Sequence, residues 1–169
     1  MIKPLFQNII VAVNGSEQSI HAAMYAILMA KLYKSHVKVV YVVDTATLKK
    51  LTLSKFFVSE ESASYERNLS EDGYRYLTYV ADLAKSKGIQ IETELRKGAV
   101  WSEIITAADD FKAGLILLGG KPTALEMDGN IKHDATSMAN SEIIGSAHCS
   151  VLVVREPKIE RCFKSERTS

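Results

Sequence analysis

The fold of this chain is decided by the segment NIIVAVNGS, residues 8–16, in which an apolar run ends in a polar turn that contains a glycine. Residues Ile9 to Val13 are aliphatic throughout and rich in β-branched side chains, which favours a strand. A continuous apolar run of this length is typical of a strand that helices cover on both faces of a parallel sheet. The segment therefore predicts a buried first strand and a tight connection to a helix.

Three later runs share this aliphatic character, at residues 37–43, 115–118 and 151–154. A fifth segment, Ile89 to Leu95, alternates apolar and polar residues. Alternation predicts a strand with one solvated face, at an edge of the sheet, and the alternative is an extended loop. The sequence therefore predicts five strands.

The segments between these runs have the spacing of amphipathic helices. Ser16 is a candidate N-cap for a helix that continues to about Lys34, a long second helix ends at Gly88, and a third ends before Gly114. A short last helix spans about residues 137–146. Strands that alternate with helices predict an α/β protein with a doubly wound parallel sheet and helices on both faces.

Three stretches fit none of these elements. Residues 45–62 are interpreted as a short helix plus a loop, and residues 120–136 form a polar loop that is long enough to suggest a functional role. The segment after Glu156 is charged and is expected to be solvated. We therefore expect one domain at residues 1–156 and a charged, flexible tail at residues 157–169.

Composition excludes several classes of partner. The chain has 169 residues, about one domain, and its 21 basic and 20 acidic residues give a net charge of +1, which argues against nucleic acid and against a membrane surface. Its apolar runs fall well short of the roughly 20 residues that span a bilayer, and the N-terminus carries no targeting pattern. Two cysteines are too few for a disulfide scaffold, so a cytoplasmic location is expected.

A ligand is expected at the carboxyl ends of the central strands, where the strand order of an open parallel sheet reverses. That rule selects Val13 to Ser16, Val43 to Thr45 and Gly119 to Lys121. The paired glycines allow the backbone to approach a ligand closely. The first turn of the last helix offers free N–H groups that bind anions, so a phosphate group is the expected ligand. The alternative is that the glycines only form the tight turns that such a domain needs.

Three segments together resemble the universal stress protein family: NIIVAVNGSEQS at residues 8–19, LILLGG at 115–120 and CSVLVV at 149–154. The resemblance covers residues 5–156 and implies a Rossmann-like sheet of five parallel strands in the order 3-2-1-4-5. It also implies a homodimer formed through Val151 to Val154. In many members of the family the ligand is an adenine nucleotide, such as ATP with Mg²⁺, and some members bind none.

The resemblance further implies which residues would surround the nucleotide. Val13, Asn14 and Val42 would lie near the base and ribose. The candidates near the phosphates are Gly119, Gly120, Lys121, Ser137 and Asn140.

The chain departs from the family pattern at several of these positions. Asn14 replaces an aspartate, which keeps the hydrogen-bonding capacity and removes the charge. The second glycine of the phosphate loop falls on Pro122, or on Thr123 if the register moves by one residue, and the phosphate-binding Gly-Ser pair falls on Ser137-Met138. Proline lacks an N–H group, and a methionine cannot replace a phosphate-binding hydroxyl. We therefore expect a degenerate site that binds an adenine nucleotide weakly, differently or not at all.

The sequence contains no recognisable catalytic motif: it lacks the Walker phosphate loop and the nucleophile elbow of the hydrolases. The pairs His133-Asp134 and His148-Cys149, with Asp128, lack metal-ligand spacing, and we predict no catalytic and no metal-binding residues. Trp101 is expected in the core or at an interface.

Three functions remain open. The preferred one is a small cytoplasmic universal stress protein that acts as a binding or regulatory module with a degenerate nucleotide site. The alternative is a functional ATP-binding member with slow hydrolysis. The third is a scaffold whose loop at residues 120–136 contacts a protein partner.

Overall fold

Five parallel strands form one sheet in the computed structural model, which describes residues 2–54, 58–120 and 135–165, the last range with side chains from Met138 onward. The strands are β1 Asn8–Val13, β2 His36–Asp44, β3 Glu92–Gly98, β4 Leu115–Gly119 and β5 Ser150–Val154. Their order is β3-β2-β1-β4-β5, so the winding reverses at the central strand β1. This confirms the doubly wound α/β sheet and the strand order that the resemblance implies.

The described residues contain six helices, which flank the sheet. They are α1 Glu17–Tyr33, α2 Thr45–Leu53, α3 Ser59–Ser86, α4 Val100–Asp110, α5 Ala135–Ser146 and α6 Ile159–Ser165. The first helix begins as the sequence predicts, because the Ser16 hydroxyl accepts a hydrogen bond from the Ser19 N–H group at 3.2 Å. It ends at Lys34, which adopts a left-handed conformation.

The alternating side chains of β1 enter two separate cores. Ile9 and Val11 pack on the face covered by α1, α3 and α6, whereas Ile10 packs against α4 and α5 on the opposite face. All three side chains are completely buried. The continuous apolar run of β1 follows from this two-sided burial.

The third strand differs from its predicted range of residues 89–95. It begins at Glu92 and continues to Gly98, in register with β2 from Lys38 to Asp44. Ile89 instead follows the end of α3, where its N–H group donates to the Ala84 carbonyl at 2.9 Å, and its side chain packs on the core. The predicted edge position is confirmed, since among the described strands β3 pairs with β2 alone.

The expectation of a solvated tail after Glu156 is wrong for residues 159–165. These residues form α6, in which Ile159 and Phe163 are 3% and 4% exposed and pack against the core beside α1. The physical reason is the four-residue spacing of the two apolar side chains, which places them on one helix face despite the charged residues between them. Residues 166–169 lie outside the described part of the chain.

The other two irregular stretches are only partly described. The short helix expected within residues 45–62 is confirmed as α2. Most of the polar loop at residues 120–136 lies outside the described residues. In the parts that are described, no helix is both long and apolar enough to cross a lipid bilayer.

Candidate functional site

A cleft of about 510 Å³ opens at the carboxyl ends of β1, β2 and β4. The central strand β1 lies between the other two, so the cleft is at the point where the winding reverses. Val13 and Asn14 contribute from β1 and the residue after it, Val42 from β2, Gly119 from β4 and Asn140 from α5. The structure therefore brings five of the eight candidate residues together.

Asn14 is held by hydrogen bonds to the first turn of α1. Its side-chain oxygen accepts from the Ser16 N–H group at 3.0 Å, and its own N–H group donates to the Ser19 hydroxyl at 3.2 Å. Gly15, between Asn14 and Ser16, has φ = +82°, a conformation that favours glycine. Within the described part of the chain the Asn14 side-chain NH₂ group has no partner, so it is a donor that a ligand in the cleft can use.

Gly119 brings β4 into close contact with α1. A Cβ atom at this position would lie 2.5 Å from the carbonyl carbon and oxygen of Gln18, so only glycine allows the approach. The Gly119 carbonyl accepts a hydrogen bond from the Asn140 side-chain NH₂ group at 3.0 Å. This bond docks α5 on β4 and uses one of the two N–H donors of the Asn140 amide.

Of the remaining three candidates, only Gly120 is fully described, and it does not line the cleft. Gly120 donates its N–H group to the Val154 carbonyl at 2.9 Å, and it lines a different, smaller cavity beside His21 and Arg155. Lys121 lies outside the described residues. Ser137 lies in the first turns of α5, and its side chain also lies outside them.

Sequence reasoning missed several residues that line the cleft. Asp44 is the last residue of β2 and caps α2, since its carboxylate accepts from the Thr47 N–H group at 2.9 Å and the Thr47 hydroxyl at 2.7 Å. Trp101, expected in the core or at an interface, is 41% exposed and forms part of the cleft wall. The end-of-strand rule had selected the segment of Asp44, whereas Trp101 carries no local signal of its position.

The charge of the described cleft wall is not basic. Lys50 is the only cation among the described lining residues, and it has no ion pair with any of them. Asp44 and Glu142 contribute two carboxylates, so one positive and two negative charges give a net charge of −1. The described wall therefore does not concentrate anions.

The histidine and cysteine before β5 have structural contacts. His148 Nδ1 lies 3.0 Å from an Asp109 carboxylate oxygen. Burial, with a smaller contribution from Asp109, raises the pKa of the Cys149 thiol, which keeps it protonated and weakly nucleophilic. Asp128, His133 and Asp134 lie outside the described residues.

The model of the universal stress protein family matches residues 5–155 of the chain. A universal stress protein of Methanocaldococcus jannaschii is 34% identical over 163 residues, which cover 92% of this chain and 86% of that protein. A solved structure from the same family, from Burkholderia pseudomallei, has a TM-score of 0.69 at 19% identity and covers 92% of this chain and 100% of its own.

Two further solved structures contain a nucleotide. A universal stress protein in complex with cAMP has a TM-score of 0.57 at 19% identity and covers 88% of this chain and 96% of its own. The universal stress protein from Archaeoglobus fulgidus in complex with dAMP has a TM-score of 0.56 at 16% identity and covers 90% of this chain and 100% of its own. At these identities the likeness shows a shared fold.

Proposed function

The chain belongs to the universal stress protein family, and on that premise we propose that it is a cytoplasmic, non-catalytic binding and regulatory module whose cleft takes an adenine mononucleotide. The proposal rests on a difference between two sides of the cleft. The base side, formed by Val13, Asn14 and Val42, has apolar surface and an Asn14 donor that has no partner among the described residues. The phosphate side, formed by Gly119 and Asn140, has one Asn140 N–H already bonded and lies in a described wall with a net charge of −1. Both cysteines are free thiols, which supports a reducing compartment.

The base side suits a purine. Val42 presents aliphatic surface at the end of β2, which can cover the face of a planar base, whereas the Val13 side chain is 3% exposed and packs in the core on the opposite face of the sheet. The Asn14 NH₂ group can donate to a ring nitrogen or to a ribose oxygen. Relatives of the same fold in complex with cAMP and dAMP support an adenine nucleotide with one phosphate as the ligand class.

The phosphate side offers little to additional phosphates. The Asn140 NH₂ group donates to Gly119, and the Gly120 N–H group donates to β5. The described cleft wall has a net charge of −1 from Lys50, Asp44 and Glu142. Each added phosphate therefore meets net repulsion from the described wall.

We expect AMP and ATP to bind with dissociation constants within about threefold of each other, a difference of about 0.7 kcal/mol, and Mg²⁺ to leave both unchanged. The physical reason is that the base side supplies the binding energy for both ligands. Trp101 lines the cleft and is the one tryptophan of the chain, so a titration of its fluorescence reports binding directly.

Two outcomes would contradict this proposal. ATP that binds more than tenfold tighter than AMP, or stoichiometric ATP released when the purified protein is denatured, would favour the alternative function, an ATP-binding member with slow hydrolysis. The observation that supports this alternative is Lys50, a cation that forms no ion pair with the described residues of the cleft wall. If no adenine nucleotide changes the fluorescence or the thermal midpoint, both the proposed function and the ATP-binding alternative are eliminated.

A pair of neighbouring lysines provides a matched control. Lys50 lines the cleft, whereas the adjacent and exposed Lys49 does not. Lys50→Gln should weaken AMP binding by about two- to fivefold at low salt and leave adenosine binding unchanged, while Lys49→Gln should change neither. Equal effects of the two variants on AMP would mean that the phosphate does not lie in the cleft.

We also propose that the chain forms a homodimer through β5. Among the described residues β5 pairs with β4 alone, and Val151, Leu152 and Val153 remain only half-buried. An apolar edge strand of this kind is a template for pairing with a second copy.

Light scattering should give twice the chain mass at micromolar concentration. Val153→Lys places a charge on the edge and should yield the monomer mass. Leu32→Lys, which introduces the same charge in place of another apolar side chain at an exposed position of α1, should leave the mass unchanged. A monomeric wild type, or dissociation by both variants, would remove the proposed interface.

A further inference from the structure

Three potential metal ligands meet where α6 packs on α1, away from the cleft. Glu17 and His21 lie one turn apart on α1, and Glu160 lies in the first turn of α6. His21 Nε2 is 3.2 Å from Glu160 Oε1 and 3.8 Å from Glu17 Oε1, and one donor atom from each residue lies within 4.8 Å of the others. We propose that this cluster binds a divalent transition metal ion of the Zn²⁺ class.

The distances match the size of such an ion. Zinc binds imidazole nitrogen and carboxylate oxygen at about 2.0–2.2 Å, so two ligands of a tetrahedral ion lie roughly 3.4 Å apart. The observed separations of 3.2 and 3.8 Å bracket this value, so small rotations of the two glutamate side chains would complete the site. The two separations from His21 are therefore close to those that a bound ion requires, and the oxygens of the two glutamates lie within 4.8 Å of each other.

The donor set selects the kind of metal. One imidazole with two carboxylates suits borderline ions such as Zn²⁺ and Co²⁺, whereas Ca²⁺ and Mg²⁺ prefer six or more oxygen ligands. Three protein ligands also leave one position of a tetrahedral ion for water. We therefore expect Zn²⁺ and Co²⁺ to bind and Mg²⁺ not to compete.

The surroundings allow an ion to enter. Glu17 and His21 line a cavity of about 210 Å³, which Gln18, Gly120 and Arg155 also line. The His21 side chain is 19% exposed, so it is sheltered from bulk water but reachable from this cavity. The second carboxylate oxygen of Glu160 lies 3.8 Å from Lys164 Nζ, which leaves Oε1 directed to His21.

A bound ion would connect two distant parts of the chain. His21 and Glu160 are 139 residues apart in sequence, and without metal they form an ion pair or hydrogen bond that docks α6 on α1. Since the three ligands come together only in the folded chain, an ion that binds them stabilises the fold by mass action. The site would make the docking of α6 dependent on metal.

The test is a titration of the full, metal-free chain with Co²⁺ and then Zn²⁺. We expect one Co²⁺ per chain with visible ligand-field absorption, displacement by Zn²⁺, and a thermal midpoint that rises with Zn²⁺ and not with Mg²⁺. His21→Ala and Glu160→Gln should each weaken binding at least tenfold. His148→Ala removes another histidine that pairs with a carboxylate, Asp109, and should bind as the wild type does.

Several results would overturn the proposal. They are the absence of one-to-one binding to the wild type, binding that survives both His21→Ala and Glu160→Gln, and loss of binding in His148→Ala. Glu160→Gln preserves the size of the side chain, so circular dichroism of this variant without metal separates loss of a ligand from loss of the fold.

Discussion

Replacing Gly119 with alanine should lower the free energy of unfolding by about 3 kcal/mol and the midpoint of thermal unfolding by roughly 6–12 °C. The added Cβ would lie 2.5 Å from the Gln18 carbonyl carbon and oxygen and 2.7 Å from the Ser19 nitrogen. All three atoms belong to the backbone of α1, so a side-chain rotation cannot relieve the overlap. Either β4 or α1 must shift, and both strand and helix are buried on this face.

The control for this prediction is Gly145→Ala in α5. A Cβ at Gly145 would meet no atom within 4 Å, and its φ is not in the left-handed region. Because alanine favours the helix by up to about 1 kcal/mol over glycine, this variant should be as stable as the wild type or more so. Chemical denaturation of the two variants provides the comparison. Equal stabilities would mean that β4 and α1 are not in the contact described.

The Gly119 result also bears on the nucleotide site. The resemblance places Gly119 in the phosphate loop, whereas the structure shows a glycine that α1 requires. If the variant loses stability, part of it is unfolded and cannot bind AMP. Its AMP binding must therefore be corrected for the fraction of the protein that is folded. Lys50→Gln is therefore the more informative probe of the ligand, since the Lys50 side chain is exposed.

The sequence predicts the central strands well for a physical reason. Ile9, Ile10 and Val11 are buried on both faces, so burial requires apolar residues at every position and leaves an unambiguous run. The edge strand β3 has a single large apolar side chain, Leu95, which continues the pattern of Ile89 and Ile91 in the preceding turn. Its pattern therefore gave the edge position but not the bounds.

The candidate site is predictable only where topology decides it. The ends of β1, β2 and β4 must meet, which brings Asn14, Val42 and Gly119 to one cleft. Gly119 and Gly120 are adjacent in sequence, but successive residues of an extended chain point in opposite directions, so only Gly119 lines the cleft. Lys50 and Trp101 reach it from helices whose orientation on the sheet is set by packing, which the local sequence does not encode.

Phe163→Ala should destabilise the protein by about 3 kcal/mol or more, although Phe163 lies in a segment that the sequence suggests is a solvated tail. Phe163 is 4% exposed, packs in the core beside α1, and has Lys87 Nζ 4.7 Å from its ring centroid. Removing the ring leaves a cavity and ends the cation–π contact, and both changes weaken the docking of α6. Urea denaturation monitored by circular dichroism measures the loss.

Cys162→Ala is the matched control, because Cys162 is the exposed neighbour of Phe163 on the same helix. Its effect should stay within about 0.5 kcal/mol. If Phe163→Ala is costly and Cys162→Ala is not, the folded domain extends past residue 156 to include α6, beyond the segment at residues 5–155 that the family model matches. If both variants are as stable as the wild type, α6 does not contribute to the core, and the boundary expected at residue 156 stands.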